Sequence, residues 1–237
     1  MLEPALNLAL LASPLCFLAY WIGYAARDEV SWPRSLLKTL ATLLPALVGL
    51  AITRSGGLQL IYLGLAFGAL GDFALSRRGE PAFLAGMAAF VLGHLLYAYA
   101  LWQRSQVMIA ADLPGDSGSI SALQILALAL LAALMLSTEL WLAPRTATLR
   151  WPVRGYVVVI GAMAATAILL APNSGHVLLR LGAALFVLSD GLLALRLFVV
   201  TAPVWQSRLS LALWPAYWLG QMLIAYGAIV YWIYPKG

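Results

Sequence analysis

Two aspartates carry the chemistry open to this chain. Asp190 sits inside the apolar run Leu185-Phe-Val-Leu-Ser-Asp-Gly-Leu-Leu-Ala-Leu-Arg-Leu-Phe198, and Asp72 inside Leu63-Gly-Leu-Ala-Phe-Gly-Ala-Leu-Gly-Asp-Phe-Ala-Leu75. The stretch from Leu181 to Leu193 aligns with the stretch from Leu63 to Leu75 without a gap, and Asp190 then falls on Asp72. A lone carboxylate in hydrocarbon is costly, so an ionisable residue in such a run is a functional-site candidate by default. Two carboxylates meeting in a dry site cannot both ionise. One proton is expected between them, which supplies a general acid and a general base together. Such a pair suits hydrolysis through an oxocarbenium-like species, as in glycosidases. The alternative is that each aspartate bonds a neighbouring helix and only holds the bundle together.

The other polar residues are few. His94 is expected to hydrogen-bond an aspartate or a substrate, with Tyr97 one turn further on the same helix face. Tyr217 and Gln221 make a second polar stripe at the same spacing. Lys38 stands at a span mouth, where it meets either a phosphate or the interface. His176 lies at the far rim from both aspartates, so a zinc site, which wants three or four ligands, is not expected, nor is any cofactor. Ser189 beside Asp190 is no triad, because neighbours on a helix do not face each other. No G-x-S-x-G elbow is present.

The elements that must hold these groups follow from composition. The 237 residues are 63% hydrophobic and 10% charged. Soluble domains are about 45–50% apolar and about 25% charged, so this is an integral membrane protein. Each span takes about 20 residues. Spans are expected near 4–26, 36–53, 58–76, 82–102, 122–142, 152–171, 177–200 and 209–234, with a polar loop over 103–121 and a shorter one over 203–208. Pro45 marks a kink, and Trp32, Trp102, Trp141, Trp151, Trp205 and Trp232 fit interfacial belts. The class is therefore all-α: eight transmembrane helices in a single domain over 1–237. The formal charge of +5 is scattered through short loops without a cluster, which reads as topology rather than nucleic-acid binding. The odd-numbered connections hold most of it, so they are expected in the cytoplasm with both termini outside. No signal peptide is read at the start, and the first span is expected to stay. Cys16 is the only cysteine, which excludes an internal disulfide.

The echo extends beyond the aspartates. Leu92-Gly-His-Leu-Leu-Tyr-Ala-Tyr99 matches Leu219-Gly-Gln-Met-Leu-Ile-Ala-Tyr226, which sets His94 on Gln221. Two parallel four-helix repeats are expected, over about 4–102 and 122–234, with the site where they meet.

The chain resembles the YhhN-like lysoplasmalogenase family. The resemblance rests on the Leu-Gly-Asp stretch at Asp72, on Phe83, Gly86, Phe90, Gly93, His94 and Tyr97, on Val153, Tyr156 and Met163, on the run from Leu185 through Asp190 to Phe198, and on Tyr217 and Gln221. Lys38 resembles a lysine of the family, although Thr39 stands where a proline would be expected. The resemblance implies an eight-span protein that cleaves the vinyl-ether bond of lysoplasmalogens; the expected location is a bacterial inner membrane. Asp72 and Asp190 would be catalytic. His94, Tyr97, Tyr217 and Gln221 would position water and the glycerol, and Lys38 would hold the phosphate. The lysophospholipid and membrane lipids are then the partners. Two other classes fit the same pattern: a proton-coupled transporter using the same aspartates, and a non-catalytic membrane scaffold.

Overall fold

The computed structural model describes residues 4–27, 29–110 and 120–233. Among them no strand occurs. Eight helices follow in order: α1 (Pro4–Gly23), α2 (Trp32–Ile52), α3 (Gly56–Leu75), α4 (Glu80–Ala110), α5 (Ala122–Trp141), α6 (Arg150–Ile168), α7 (His176–Ala194) and α8 (Pro203–Ile233). All eight have the length and apolar composition to cross a membrane.

Local signals fix the helix starts. The Ser31 side chain accepts from the Arg34 amide at the head of α2, with proline in the first turn. Ser121 and Gln124 form a reciprocal capping box on α5. Several ends differ from the sequence expectation, among them the start of α2 at Trp32 rather than near Leu36. α4 runs on to Ala110 instead of stopping near Trp102, because its polar extension still buries Met108 and leans the Arg104 guanidinium over the Trp232 ring. α8 starts at Pro203, six residues early, since proline is preset for a first helical position. α7 passes into a π-helical turn, Leu195–Val199, and the Gln206 amide donates to Val200 O at its end (2.7 Å). Most of the expected loop over 103–121 lies outside the described residues.

Two internal prolines organise the packing. Proline cannot donate to the carbonyl four residues back, so Pro45 leaves Ala41 O without its helical partner. Ser13 Oγ of α1 (2.7 Å) and Trp218 Nε1 of α8 (3.0 Å) both donate to it. Pro215 frees Leu211 O in the same way, and Trp21 Nε1 of α1 donates there (2.9 Å). Proline in α2 and α8 thus becomes a docking point for α1. Phe17 stacks on Trp218 and Tyr20 meets Trp214 in the same seam.

The helix pairs α3–α4 and α7–α8 close on glycine. A Cβ on Gly93 would lie 2.9 Å from Gly64 O, and a Cβ on Gly220 would lie 3.0 Å from Gly182 O. These are matching positions of the two sequence echoes. By contrast, α5 has no buried residue and packs mainly on α6 and the connection after it. An exposed ion pair, Glu139 with Arg154, joins α5 to α6.

Candidate active site

The helix ends at the first, third and seventh connections surround one polar cavity. α2 supplies Arg34 and Lys38 from one face, with Thr42 a further turn along. α3 supplies Asp72, and Arg77 follows it. α7 and its π turn supply Ser189, Asp190 and Arg196, and α8 supplies Trp214 and Tyr217. Both aspartates line this cavity. The α2–α3 side is locked by Ser35 and Ser76, whose hydroxyls are 2.7 Å apart.

Asp72 is fully buried and richly bonded. Lys38 Nζ lies 3.1 Å from Oδ1, with the Asp72 side chain 2% exposed and that of Lys38 13%. Tyr217 donates to Oδ2 at 2.8 Å and Thr42 at 3.1 Å. Behind Tyr217 stands a directed series: Tyr97 donates to Gln221 Oε1 (2.6 Å), and Gln221 Nε2 donates to the Tyr217 oxygen (3.3 Å). Every donor in the series points toward the Asp72 carboxylate, and buried networks of this kind are rigid when fully satisfied.

Asp190 is built differently. The Tyr156 hydroxyl donates to Oδ2, and His94 Nε2 is 3.1 Å from the same hydroxyl. A tyrosine has one proton to give, and Asp190 receives it, so His94 Nε2 must carry its own hydrogen toward Tyr156. His94 Nε2 stands 3.8 Å from Asp190 Oδ2, and the Asp190 side chain is 17% exposed. The Phe186 ring meets His94 edge-on at 4.6 Å and holds its plane.

Asp190 also lines a second space. An apolar groove runs between α4, α5, α6 and α7. Leu75, Phe83, Phe90, Asp190, Leu193 and Leu197 line both spaces. Asp190 is the one carboxylate the two have in common.

The sequence expectations are met unevenly. Asp72 and Asp190 face one cavity, but among the described residues no hydrogen bond joins them. Each aspartate has its own partners, Lys38, Tyr217 and Thr42 for Asp72 and Tyr156 for Asp190. Of the five residues expected to hold substrate, Lys38 and Tyr217 line the cavity. His94, Tyr97 and Gln221 are each 1% exposed and stand behind it, where they position Tyr156 and Tyr217. Lys38 is directed to Asp72 rather than left for a phosphate. Ser189 Oγ bonds its own helix at Phe186 O (2.8 Å), with Asp190 Oδ1 at 3.4 Å beside it. Tyr156 and Thr42 were missed as partners of the aspartates. Thr42 was findable, since it lies one turn beyond Lys38. Tyr156 offered only a hydroxyl in an apolar span. Arg34 and Arg77, read from sequence as topology markers, are cavity walls; Arg34 Nε and Arg77 Nε and Nη2 are buried without a hydrogen-bond partner.

The chain is similar to proteins of known name. Lysoplasmalogenase TMEM86B of Homo sapiens is 30% identical over 215 residues, covering 89% of this chain and 81% of that protein. Lysoplasmalogenase TMEM86B of Rattus norvegicus is 27% identical over 211 residues, 89% of this chain and 79% of that protein. Lysoplasmalogenase TMEM86A of Bos taurus is 27% identical over 222 residues, 89% of this chain and 84% of that protein. No solved structure matches the chain. The YhhN family model matches residues 33–228, from the head of α2 into the last helix, and the chain belongs to the YhhN family.

Proposed function

We propose that the chain hydrolyses the vinyl-ether bond of a lysoplasmalogen, releasing a fatty aldehyde and a glycerophospho-alcohol. The observation that carries this reading is the sharing of one basic cavity by two carboxylates with different surroundings. The names of the relatives supply the substrate class.

Vinyl-ether hydrolysis begins with protonation of the β-carbon, which leaves an oxocarbenium ion. The acid must reach a carbon atom, so it belongs where the polar cavity meets apolar surface. Asp190 is in that position, and it gives the proton, with Tyr156 and His94 holding its orientation. The base must meet water. Asp72 lies on the polar side, and its three donors suit the carboxylate form. It opposes the developing cation and takes the proton of the attacking water. The resulting hemiacetal collapses: its hydroxyl loses a proton to Asp190, the carbon–oxygen bond to glycerol breaks, and the glycerol oxygen takes the proton that Asp72 had drawn from water. One water is consumed and both acids return to their first state. Arg34, Arg77 and Arg196 line the mouth and suit a phosphodiester.

The odd-numbered connections face the cytoplasm in this reading, so the head group enters from that side. The matched glycine contacts of α3–α4 and α7–α8 support a duplicated four-helix unit. A transporter gains no support from the prolines, because the carbonyls freed by Pro45 and Pro215 are bonded by neighbours.

The test is aldehyde release from 1-alkenyl lysophospholipid by the purified, reconstituted chain. Asp72→Asn and Asp190→Asn each abolish release with the helical spectrum intact. Near-normal turnover in both variants removes the assignment.

A further inference from the structure

We infer that the apolar groove between α4, α5, α6 and α7 holds the aliphatic chain of the substrate, so that α5 and α6 set chain-length preference. The inference rests on the hydrolase reading above and adds the part of the molecule that reads the hydrocarbon.

Three observations lead there. The first is chemistry. Apart from Asp190, Tyr156, Thr138 and the Trp141 indole, the lining is aliphatic, aromatic or glycine. Nothing in it would bind a head group or a polar solute.

The second is continuity. Six residues wall both the groove and the basic cavity, and Asp190 is among them. A molecule lying through both spaces therefore crosses Asp190 at the change from polar to apolar. A lysolipid changes character at the bond between its glycerol oxygen and its chain. With phosphate toward Arg34 and Arg77, and chain in the groove, that bond falls beside Asp190.

The third is length and access. On α5 the lining runs from Trp141 to Leu131, and on α6 from Val153 to Gly161. At about 1.5 Å per residue the α5 wall is about 15 Å long, half the depth of a hydrocarbon core of about 30 Å. Where the α6 lining ends, Met135 packs on Gly161, which has no side chain to resist it. The α5 wall has no buried residue, so a chain can enter from the bilayer by displacing a helix with few attachments.

The experiment uses the full chain in lipid nanodiscs and a 1-O-alkyl lysophosphoethanolamine with a diazirine near the end of its chain. The saturated ether binds but offers no double bond to protonate. The expected labels fall on α5 between Leu131 and Thr138 and on α6 between Val157 and Gly161, and unlabelled lysolipid competes them away. Label scattered over lipid-facing residues such as Leu8, Leu15 and Ile22 of α1, and indifferent to competitor, overturns the inference, because the groove then holds only bulk lipid. A second arm measures turnover of alkenyl lysolipids of graded length by Met135→Trp. The ratio of kcat/KM for long over short chains falls at least about tenfold, the least that a pocket gives against one methylene too many. An unchanged ratio also overturns it. If the groove is labelled but no alkenyl lysolipid yields aldehyde, the hydrolase reading falls and the groove assignment stands.

Discussion

The Lys38–Asp72 pair gives the sharpest test of how this site is built. The ammonium and carboxylate are 3.1 Å apart, and the Asp72 side chain is 2% exposed. At an effective dielectric of about 20 their attraction is about 5 kcal/mol, and desolvation of both groups offsets much of it. Removing one partner differs from removing both. Lys38→Met strands a buried carboxylate with two neutral donors, Tyr217 and Thr42, and should cost about 3–5 kcal/mol, the usual loss for a broken buried pair. Asp72→Asn strands the lysine, but its side chain reaches the cavity, so the loss should be nearer 1–3 kcal/mol, roughly that of an unmet hydrogen bond. The double variant carries no stranded charge. Its loss should fall short of the summed single losses by about 2 kcal/mol or more, a coupling typical of contacting residues. The measurement is reversible unfolding in mixed micelles with rising dodecyl sulfate for all four proteins. Losses below about 1 kcal/mol that simply add would mean a solvated pair, like one on a protein surface. The carboxylate proposed as base would then lie in bulk-like water, and the division of roles between the aspartates would fail.

Further outcomes follow from individual contacts. Tyr156→Phe removes the donor to Asp190 and the partner of His94; kcat for aldehyde release should drop by about 10²-fold or more, the lower range for a positioned proton donor, with KM little changed. Gly220→Val sets a branched side chain against Gly182 O and should cost about 1–3 kcal/mol in the same unfolding assay, as overpacking does. Trp218→Phe leaves Ala41 O with Ser13 alone and should cost about 1 kcal/mol, with activity retained in the folded protein. Replacing Glu139 and Arg154 together by alanine should leave the unfolding transition in place, since the pair lies at the surface where solvent screens it.

The fold was legible because hydrocarbon imposes its own length. Eight apolar runs gave eight helices, and only helix ends were misjudged. Beyond the last apolar residue nothing in hydropathy says whether a helix stops, and Gln103 through Met108 keep the helical path. Asp72 and Asp190 were legible because an acid inside an apolar run stands out and because its surroundings repeat. Depth was not legible. The spacing of His94 with Tyr97, and of Tyr217 with Gln221, tells which residues share a helix face, and it says nothing about whether that face meets the cavity or another helix. Tyr217 meets the cavity, while Tyr97 and Gln221 lie one contact behind it. The pairing of Tyr156 with Asp190 joins residues 34 apart in the chain on different helices, and no local pattern encodes such a contact.

The two sides of the molecule are held by different means, and the difference suits the chemistry proposed. Around Asp72 the frame is stiff: α1 is pinned to the carbonyls released by Pro45 and Pro215, α3 meets α4 at glycine, and Ser35 ties α2 to Ser76. A carboxylate that must stay bonded to three donors while a cation forms nearby needs that rigidity, because each donor lost costs more in a dry site than in water. Around the groove the frame is slacker: α5 buries no residue, and its polar ties to α6 are the Glu139–Arg154 ion pair near one end and the bond from Gln124 to Ile168 O at the other. A wall that has only to exclude water and follow a flexible chain needs no more than this. Asp190 stands where the stiff and slack parts meet. One side of it is fixed by Tyr156 and His94, and the other is open to a substrate whose length can vary without disturbing the acid.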